Sequence, residues 1–283
     1  MIVEQGPGDR ATVEALLTNR IDQAMFPLTN LRRHGLSIGD FPSAHPHATR
    51  FWRVGDHSVV ALTRGGMLMA LLVPGCDLSG LPSALSGQTV QGAAGPAASL
   101  RPVLRALDLA GTPARLDKDE PGFALDLAHL RMPDARGTKL VPAATVARDR
   151  LSEWRAAATV ETQGMPTSKA RDRAAEDVDG WLDRDSHRVL LHAEKPVALT
   201  GFNAQLPEIV QVGGVYAPPD LRSRGFARRA VALHLAEARA KGCNRAVLFA
   251  ATPAAVRAYR ALGFQPAADF ALVLFHNPVT LPK

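Results

Sequence analysis

Cysteine is scarce. The 283 residues hold two, Cys76 and Cys243, far apart in sequence. That excludes a disulfide-stapled scaffold and a Cys-rich zinc site, and it suits a reducing compartment, so a cytoplasmic setting is expected. Aromatic residues are also sparse, at 5%, with two tyrosines. No Lys/Arg-rich run and no RRM or zinc-finger pattern accompanies them, which argues against a nucleic-acid binder. Long apolar runs are missing. The longest clean one, Met67–Val73, has seven residues, whereas a membrane span needs about 20. Met1 is followed by Ile2, Val3 and Glu4, without a basic region or an apolar core, so no secretory leader is expected. Metal-ligand spacing is absent too. His45-Pro46-His47 has no carboxylate or cysteine at a recognised distance and reads as a loop, so no metal is expected.

What is present suits folded domains. Hydrophobic residues make up 46% and charged residues 21%, with a net charge of +6 from 33 Lys plus Arg against 27 Asp plus Glu. At about 100–200 residues per domain, the length predicts two domains with real cores.

Val13, Leu16, Leu17, Ile21 and Ala24 recur at helical spacing. Ser58–Thr63 and Met67–Val73 flank Arg64-Gly65-Gly66 and read as a hairpin. Val90–Gly95 reads as a strand, Leu100–Leu107 as a helix and Phe123–Leu130 as a strand. Met132–Val141 is polar and holds Pro133 and Gly137. The boundary is placed there, giving domains 1–133 and 134–283. Val146–Val160 and Ser168–Leu182 then read as helices. Val189–Ala193 and Pro196–Gly201 form a second hairpin. Strand Ile209–Tyr216, helix Ala227–Lys241, strand Arg245–Ala250, helix Pro253–Leu262 and strand Phe270–Phe275 follow. Strands alternating with helices predict an α/β (α+β) protein with a mixed sheet.

The chemistry concentrates between Gln211 and Gly263. Strand Ile209–Tyr216 leads through Ala217-Pro218-Pro219-Asp220 to Arg222-Ser223-Arg224-Gly225-Phe226-Ala227, which opens a helix. A helix start exposes unpaired N–H groups and the positive end of the macrodipole. Gly225 permits close approach of an anion, small Ala227 leaves it room, and Arg222 and Arg224 add forked donors. This is a pyrophosphate site, or else a solvated turn with a convenient glycine. Further on, Thr252-Pro253 reads as an N-cap with Pro at N1, ahead of Tyr259-Arg260-Ala261-Leu262-Gly263-Phe264.

The two segments GVYAPPDLRSRGFA and AYRALGF, in this order and at this separation, resemble the GNAT superfamily of N-acetyltransferases over about Val189–Phe275. The resemblance implies a mixed central sheet flanked by helices, with acetyl-CoA held between strands Ile209–Tyr216 and Arg245–Ala250. It implies that backbone groups of Val215, Tyr216 and Ala217 pair with the pantetheine arm. Arg222 and the N–H groups of Arg224, Gly225, Phe226 and Ala227 would hold the pyrophosphate. It implies Tyr259 as proton donor to the leaving thiolate. Glu208 is the candidate base and Asn203 the candidate to orient the acceptor. The glycines in Val212-Gly213-Gly214-Val215 fit a bulge or a close backbone approach. Thr252 and Val256 stand where many relatives carry Asn, so side-chain contacts to the cofactor from there are not expected.

The order strand, Gly-Pro turn, helix, strand over Val90–Leu130 echoes Val210–Ala250. The N-terminal half therefore reads either as a degenerate second GNAT-like domain or as an unrelated α/β module. The function implied is direct transfer of an acetyl group from acetyl-CoA to an amine of a small molecule or peptide. The alternative is a non-catalytic acyl-CoA-binding or regulatory protein on the same scaffold. Neither nucleic acid nor membrane is expected as a partner.

Overall fold

The computed structural model describes residues 1–250 and 252–283. The chain divides into two units, one formed by Met1–Pro121 with Ala268–Lys283 and the other by Gly122–Ala267.

In the first unit come β1 (Ile2–Glu4), α1 (Arg10–Thr18), α2 (Ile21–His34), β2 (Thr49–Val54), β3 (Ser58–Thr63), β4 (Met67–Leu71), α3 (Leu81–Ala84), β5 (Thr89–Pro96), α4 (Ala97–Ala106) and β6 (Ala114–Glu120). The second unit holds β7 (Gly122–Asp126), β8 (Thr138–Pro142), α5 (Arg148–Gln163), α6 (Thr167–Asp183), β9 (His187–His192), β10 (Lys195–Gln205), β11 (Ile209–Tyr216), α7 (Phe226–Ala240), β12 (Arg245–Phe249), α8 (Pro253–Ala261) and β13 (Gln265–Pro266). The last strand, β14 (Phe270–Thr280), belongs to the first unit.

Each unit is built on a seven-stranded mixed sheet. The first has the order β1-β2-β3-β4-β5-β14-β6, the second β13-β7-β12-β11-β10-β9-β8. Read from β1 and from β8, the two orders are the same. In both, the next-to-last place is filled by a strand from elsewhere in the sequence. β14 lies between β5 and β6, and β7 lies between β12 and β13.

These two strands correct the expected division. The boundary falls after Pro121, not Pro133, and Phe270–Thr280 does not join the C-terminal sheet. Phe123 and Leu125 of β7, with Leu127 just beyond it, are buried in one core with Val231 and Leu235 of α7 and Leu248 of β12. Ala271, Val273 and Phe275 of β14 are buried with Val60, Leu68 and Leu100 of the first unit. Each fully buried Leu, Val or Phe stabilises its unit by about 1.5–3 kcal/mol relative to exposure. Alternation therefore ties each strand firmly to a sheet, but it does not say to which one.

Helix α7 forms as its pattern requires. Val231, Leu235 and Ala238 are buried together in one core, Phe226 and Ala230 in a second cluster, and Gly242 follows the C-cap Lys241 with φ +94°. Helices α5 and α6 cover the other face of the sheet. Leu151, Trp154, Val178 and Trp181 pack there on Val189, Leu199 and Tyr216. Met25, Leu28 and Trp52 are buried core residues of the first unit.

Candidate active site

The site begins where two parallel strands part. β11 and β12 pair at Ile209↔Arg245, Val210↔Ala246 and Gln211↔Val247. Beyond Gln211, β11 runs on to Tyr216 alongside β10, and among the described residues no further pair joins it to β12. The backbone of β11 from Val212 onward thus faces an opening rather than a strand.

Two register breaks shape this edge. Between Leu199↔Tyr216 and Gly201↔Gly213, β11 carries an extra residue, and Gly214 takes φ +62°. Between Phe202↔Val212 and Ala204↔Gln211, β10 carries the extra residue, Asn203. Asn203 is exposed, and its amide covers Gly213, where a Cβ would lie 1.9 Å from its Nδ2. Val215 and Ala217 are half-buried and Tyr216 is buried. Burial raises the Tyr216 phenol pKa, with Arg222 opposing the shift.

After Ala217 the chain turns into α7. Ser223 has φ +62° and Gly225, at the N-cap, φ +79°. The left-handed N-cap is a conformation that glycine adopts freely, and residues with a Cβ do so at a cost. Among the described residues no side chain caps the helix start. The N–H groups of its first turn are therefore left to an external acceptor. Around them stand Arg224, whose guanidinium lies 5.5 Å from the Phe226 ring centre, Arg228, whose Nη2 would lie 3.9 Å from a Cβ on Gly225, and Arg229, which donates to the Asp134 carbonyl at 2.7 Å.

Arg222 is engaged differently from expectation. Its Nη1 and Nη2 donate to the Glu161 carboxylate of α5 at 2.9 and 2.7 Å, and its Nε donates to the Ala217 carbonyl at 3.1 Å. The hydrogen bonds it donates to Glu161 are the main reason its pKa is raised.

On the other side of the opening, Thr252 caps α8. Its hydroxyl accepts from the Ala255 N–H at 3.2 Å, as the Thr-Pro pattern predicts. Tyr259 is buried on the inner face of α8, edge-on to Phe264 at 5.9 Å. Val256 packs against the same core.

Glu208 is not brought to the opening. It precedes β11 at the closed end of the parallel pair, and its carbonyl accepts from the Asn244 N–H at 3.2 Å. At ~3.3 Å per residue it lies about 10 Å before Gln211, on the far side from the parting strands.

Three residues near the edge were not anticipated: Glu161, Gln211 and His187. Gln211, the last paired residue, is 3% exposed with Oε1 unpartnered. His187 is 1% exposed and stacks on Trp181 at 3.9 Å. Burial, with nearby His234, Arg155, Arg184 and Arg188, holds its pKa well below the usual histidine value.

The first unit has the same parallel pair without the site. β4 and β5 pair at Met67↔Gly92 and Leu68↔Ala93. Beyond them the end of β4 and the residues that follow it are met by side chains of the same unit. Leu72 N–H donates to Ser99 Oγ at 2.9 Å and Val73 N–H to Ser58 Oγ at 2.8 Å. Arg20 donates to the Leu72 and Leu71 carbonyls at 2.7 and 3.4 Å. The helix between these strands, α3, has four residues where α7 has 15. No Arg-rich turn opens it.

Among the described residues no group of three His, Cys, Asp or Glu is placed to hold a metal, and no helix is long and apolar enough to cross a membrane.

Comparison with known proteins agrees with this geometry. Residues 149–264 match the model of the acetyltransferase (GNAT) family. No curated protein matches the sequence. A GCN5-related N-acetyltransferase from Kribbella flavida is 16% identical with a TM-score of 0.58, over 91% of this chain and 95% of that one. One from Sphaerobacter thermophilus is also 16% identical with a TM-score of 0.58, over 100% and 96%. A tandem GNAT protein from the clavulanic acid biosynthesis pathway, solved without AcCoA, is 15% identical with a TM-score of 0.54, over 100% and 99%. The fold of the two units is therefore that of a tandem GNAT protein, and residues 149–264 match the acetyltransferase (GNAT) family model.

Proposed function

We propose that the protein is an acetyl-CoA-dependent N-acetyltransferase that moves the acetyl group directly to an amine of a small molecule or peptide. The observation that carries this reading is the parting of β11 from β12 beside an uncapped helix start. The unpaired edge of β11 at Val215–Ala217 suits the amide-bearing pantetheine arm. The N–H groups of Arg224 to Ala227 suit the pyrophosphate, with Arg228 close by. Acetyl-CoA brings the activated thioester. The chain's part is to hold that thioester, orient the amine and manage charge and protons.

An N–H of the bulged edge would stabilise the oxyanion that develops at the carbonyl. Asn203, exposed over Gly213, is suited to orient the amine. Tyr259 is the proposed proton donor to the leaving thiolate, since α8 places it beside the core that backs the opening. The amine gives up its proton through water, with Glu208, ahead of β11, as the proposed base. Arg222 acts on the pyrophosphate only by exchanging its bond to Glu161 for one to the phosphate.

The first unit serves as a cofactor-free partner fold, because Arg20, Ser58 and Ser99 already occupy the backbone groups that a pantetheine arm would need. Calorimetry with acetyl-CoA tests the whole reading and is expected to give one site per chain. A panel of amines with acetyl-CoA, followed by released thiol, then identifies the acceptor. Absence of acetyl-CoA binding would overturn the proposal, and two sites per chain would overturn the role given to the first unit.

A further inference from the structure

The bulge in β11 has a side chain built to fit it. His187 starts β9, opposite Gly201 of β10. A Cβ on Gly201 would lie 2.1 Å from its Nε2, and a Cβ on Gly214 would lie 2.7 Å from the same atom. The ring therefore occupies the space that two strand glycines leave free. Trp181 of α6 stacks on it with 14° between the planes, and Ser186 Oγ lies 2.9 Å from Nδ1. The stack and the hydroxyl fix the ring's position and orientation. Its Nε2 is buried without a hydrogen-bond partner among the described residues.

A buried polar atom left unpaired is rare and costly, so a state that supplies its partner is favoured over one that does not. The adjoining element that can move is the bulge itself. Gly213 and Gly214 carry no side chains to lock them, and β11 has left its β12 partner by that point. This is also the stretch that, on the acetyl-CoA reading above, lies beside the acyl arm.

We propose that His187 is a positioning residue for acyl transfer, propping the β11 bulge and completing an Nε2 hydrogen bond to the bulge backbone when the acyl arm is bound. The ring does not touch the reacting atoms. It acts through Gly213–Val215, the bulged stretch beyond the last pair with β12. A neutral imidazole serves this purpose with one ring nitrogen bonded to Ser186 and the other turned to the bulge. The inference rests on acetyl-CoA as the ligand of this edge.

The test uses the full chain. His187→Phe keeps a flat ring on Trp181 and removes both nitrogens, and His187→Gln restores a polar group. Calorimetry with acetyl-CoA is expected to give binding about 3- to 10-fold weaker for His187→Phe, the loss of one hydrogen bond, with part recovered in His187→Gln. In the ¹⁵N-labelled parent, saturating acetyl-CoA is expected to move the Nε2 resonance of His187. A folded His187→Phe protein that binds like the parent would overturn the inference. So would an Nε2 resonance that stays put at saturation, and that readout decides the matter even where the variant fails to fold. If the parent itself ignores acetyl-CoA, the functional reading falls first and this inference falls with it.

Discussion

Replacing Gly225 by Glu strikes the proposed phosphate site at its narrowest point. At φ +79° any side chain is strained, at a cost of about 1–2 kcal/mol. The nearest heavy atom to a new Cβ is Arg228 Nη2 at 3.9 Å, so no clash adds to that. For a unit of this size, each kcal/mol lowers Tm by roughly 2–4 °C, and the variant is expected to melt about 2–8 °C below the parent. The effect on the ligand is larger. Acetyl-CoA at 100 times its Kd stabilises the parent by about 2.7 kcal/mol, a rise of roughly 5–11 °C. A carboxylate about 5 Å from a phosphate charge opposes binding by about 1–3 kcal/mol per charge at an effective dielectric of 20–80. It also stands across the helix N–H groups. The ligand-induced rise in Tm should therefore vanish in Gly225→Glu and persist in part in Gly225→Ala, which carries the strain without the charge. Equal rises in parent and Gly225→Glu, measured by thermal shift, would refute the placement of the phosphate.

Other outcomes follow from neighbouring residues. Tyr259→Phe should lower turnover on a responsive amine by about 10²-fold, the usual scale of a lost general acid, while acetyl-CoA affinity holds. Unchanged thiol release would remove Tyr259 from the chemistry. Glu161→Gln frees Arg222 from an ion pair with side chains 40% and 53% exposed. The stability cost should stay under ~1 kcal/mol, and acetyl-CoA should bind a few-fold tighter by calorimetry. Weaker binding would show that Glu161 presents Arg222 and does not compete for it.

The acid limb of stability should carry a mark of His234. Burial pushes this histidine from its ordinary 6.5 down to about 3. A depressed histidine binds its proton more readily when unfolded, so its contribution is complete above pH 6.5 and is lost as pH falls toward 3. From pH 7 to pH 5 the loss is about 2 kcal/mol, at 1.36 kcal/mol per unit. Denaturant midpoints should show the parent losing that much more than His234→Gln.

Helices α7 and α8 were legible because their determinants are local. The apolar pattern after Gly225 and the Thr-Pro cap are each written within a few residues, and both helices begin within one residue of expectation. The supporting residues were not legible. Glu161 meets Arg222 across 61 positions, and His187 meets Gly214 only because a register break brings them together. The place of Glu208 along the parallel pair was not legible either, because a carboxylate at a strand end looks alike at either end. Only the direction in which β11 and β12 part tells the open end from the closed one.

The exchange of end strands has the same origin on a larger scale. β7 follows β6 after a single residue, Pro121, yet pairs with β12 more than a hundred positions away, at Ala124↔Val247 and Leu125↔Ala246. Glu120-Pro121-Gly122 explains how. Proline has no N–H to donate. Gly122 pairs with Phe249 and its carbonyl accepts from the Ala267 N–H at 2.8 Å. With β7 committed to the second sheet, the first lacks a strand between β5 and β6. β14 supplies it, with Ala271 paired to both Gly95 and Asp119. The polar stretch near Pro133 is thus internal to the second unit, where the Asp134 carbonyl accepts from Arg229 beside the helix start. A cut at 133 would take β7 from one sheet and leave β14 outside the other. Each half expressed alone should therefore aggregate or fail to fold, whereas Gly122–Ala267 keeps its sheet complete. Soluble, cooperatively unfolding halves cut at 133 would refute this account of the exchange.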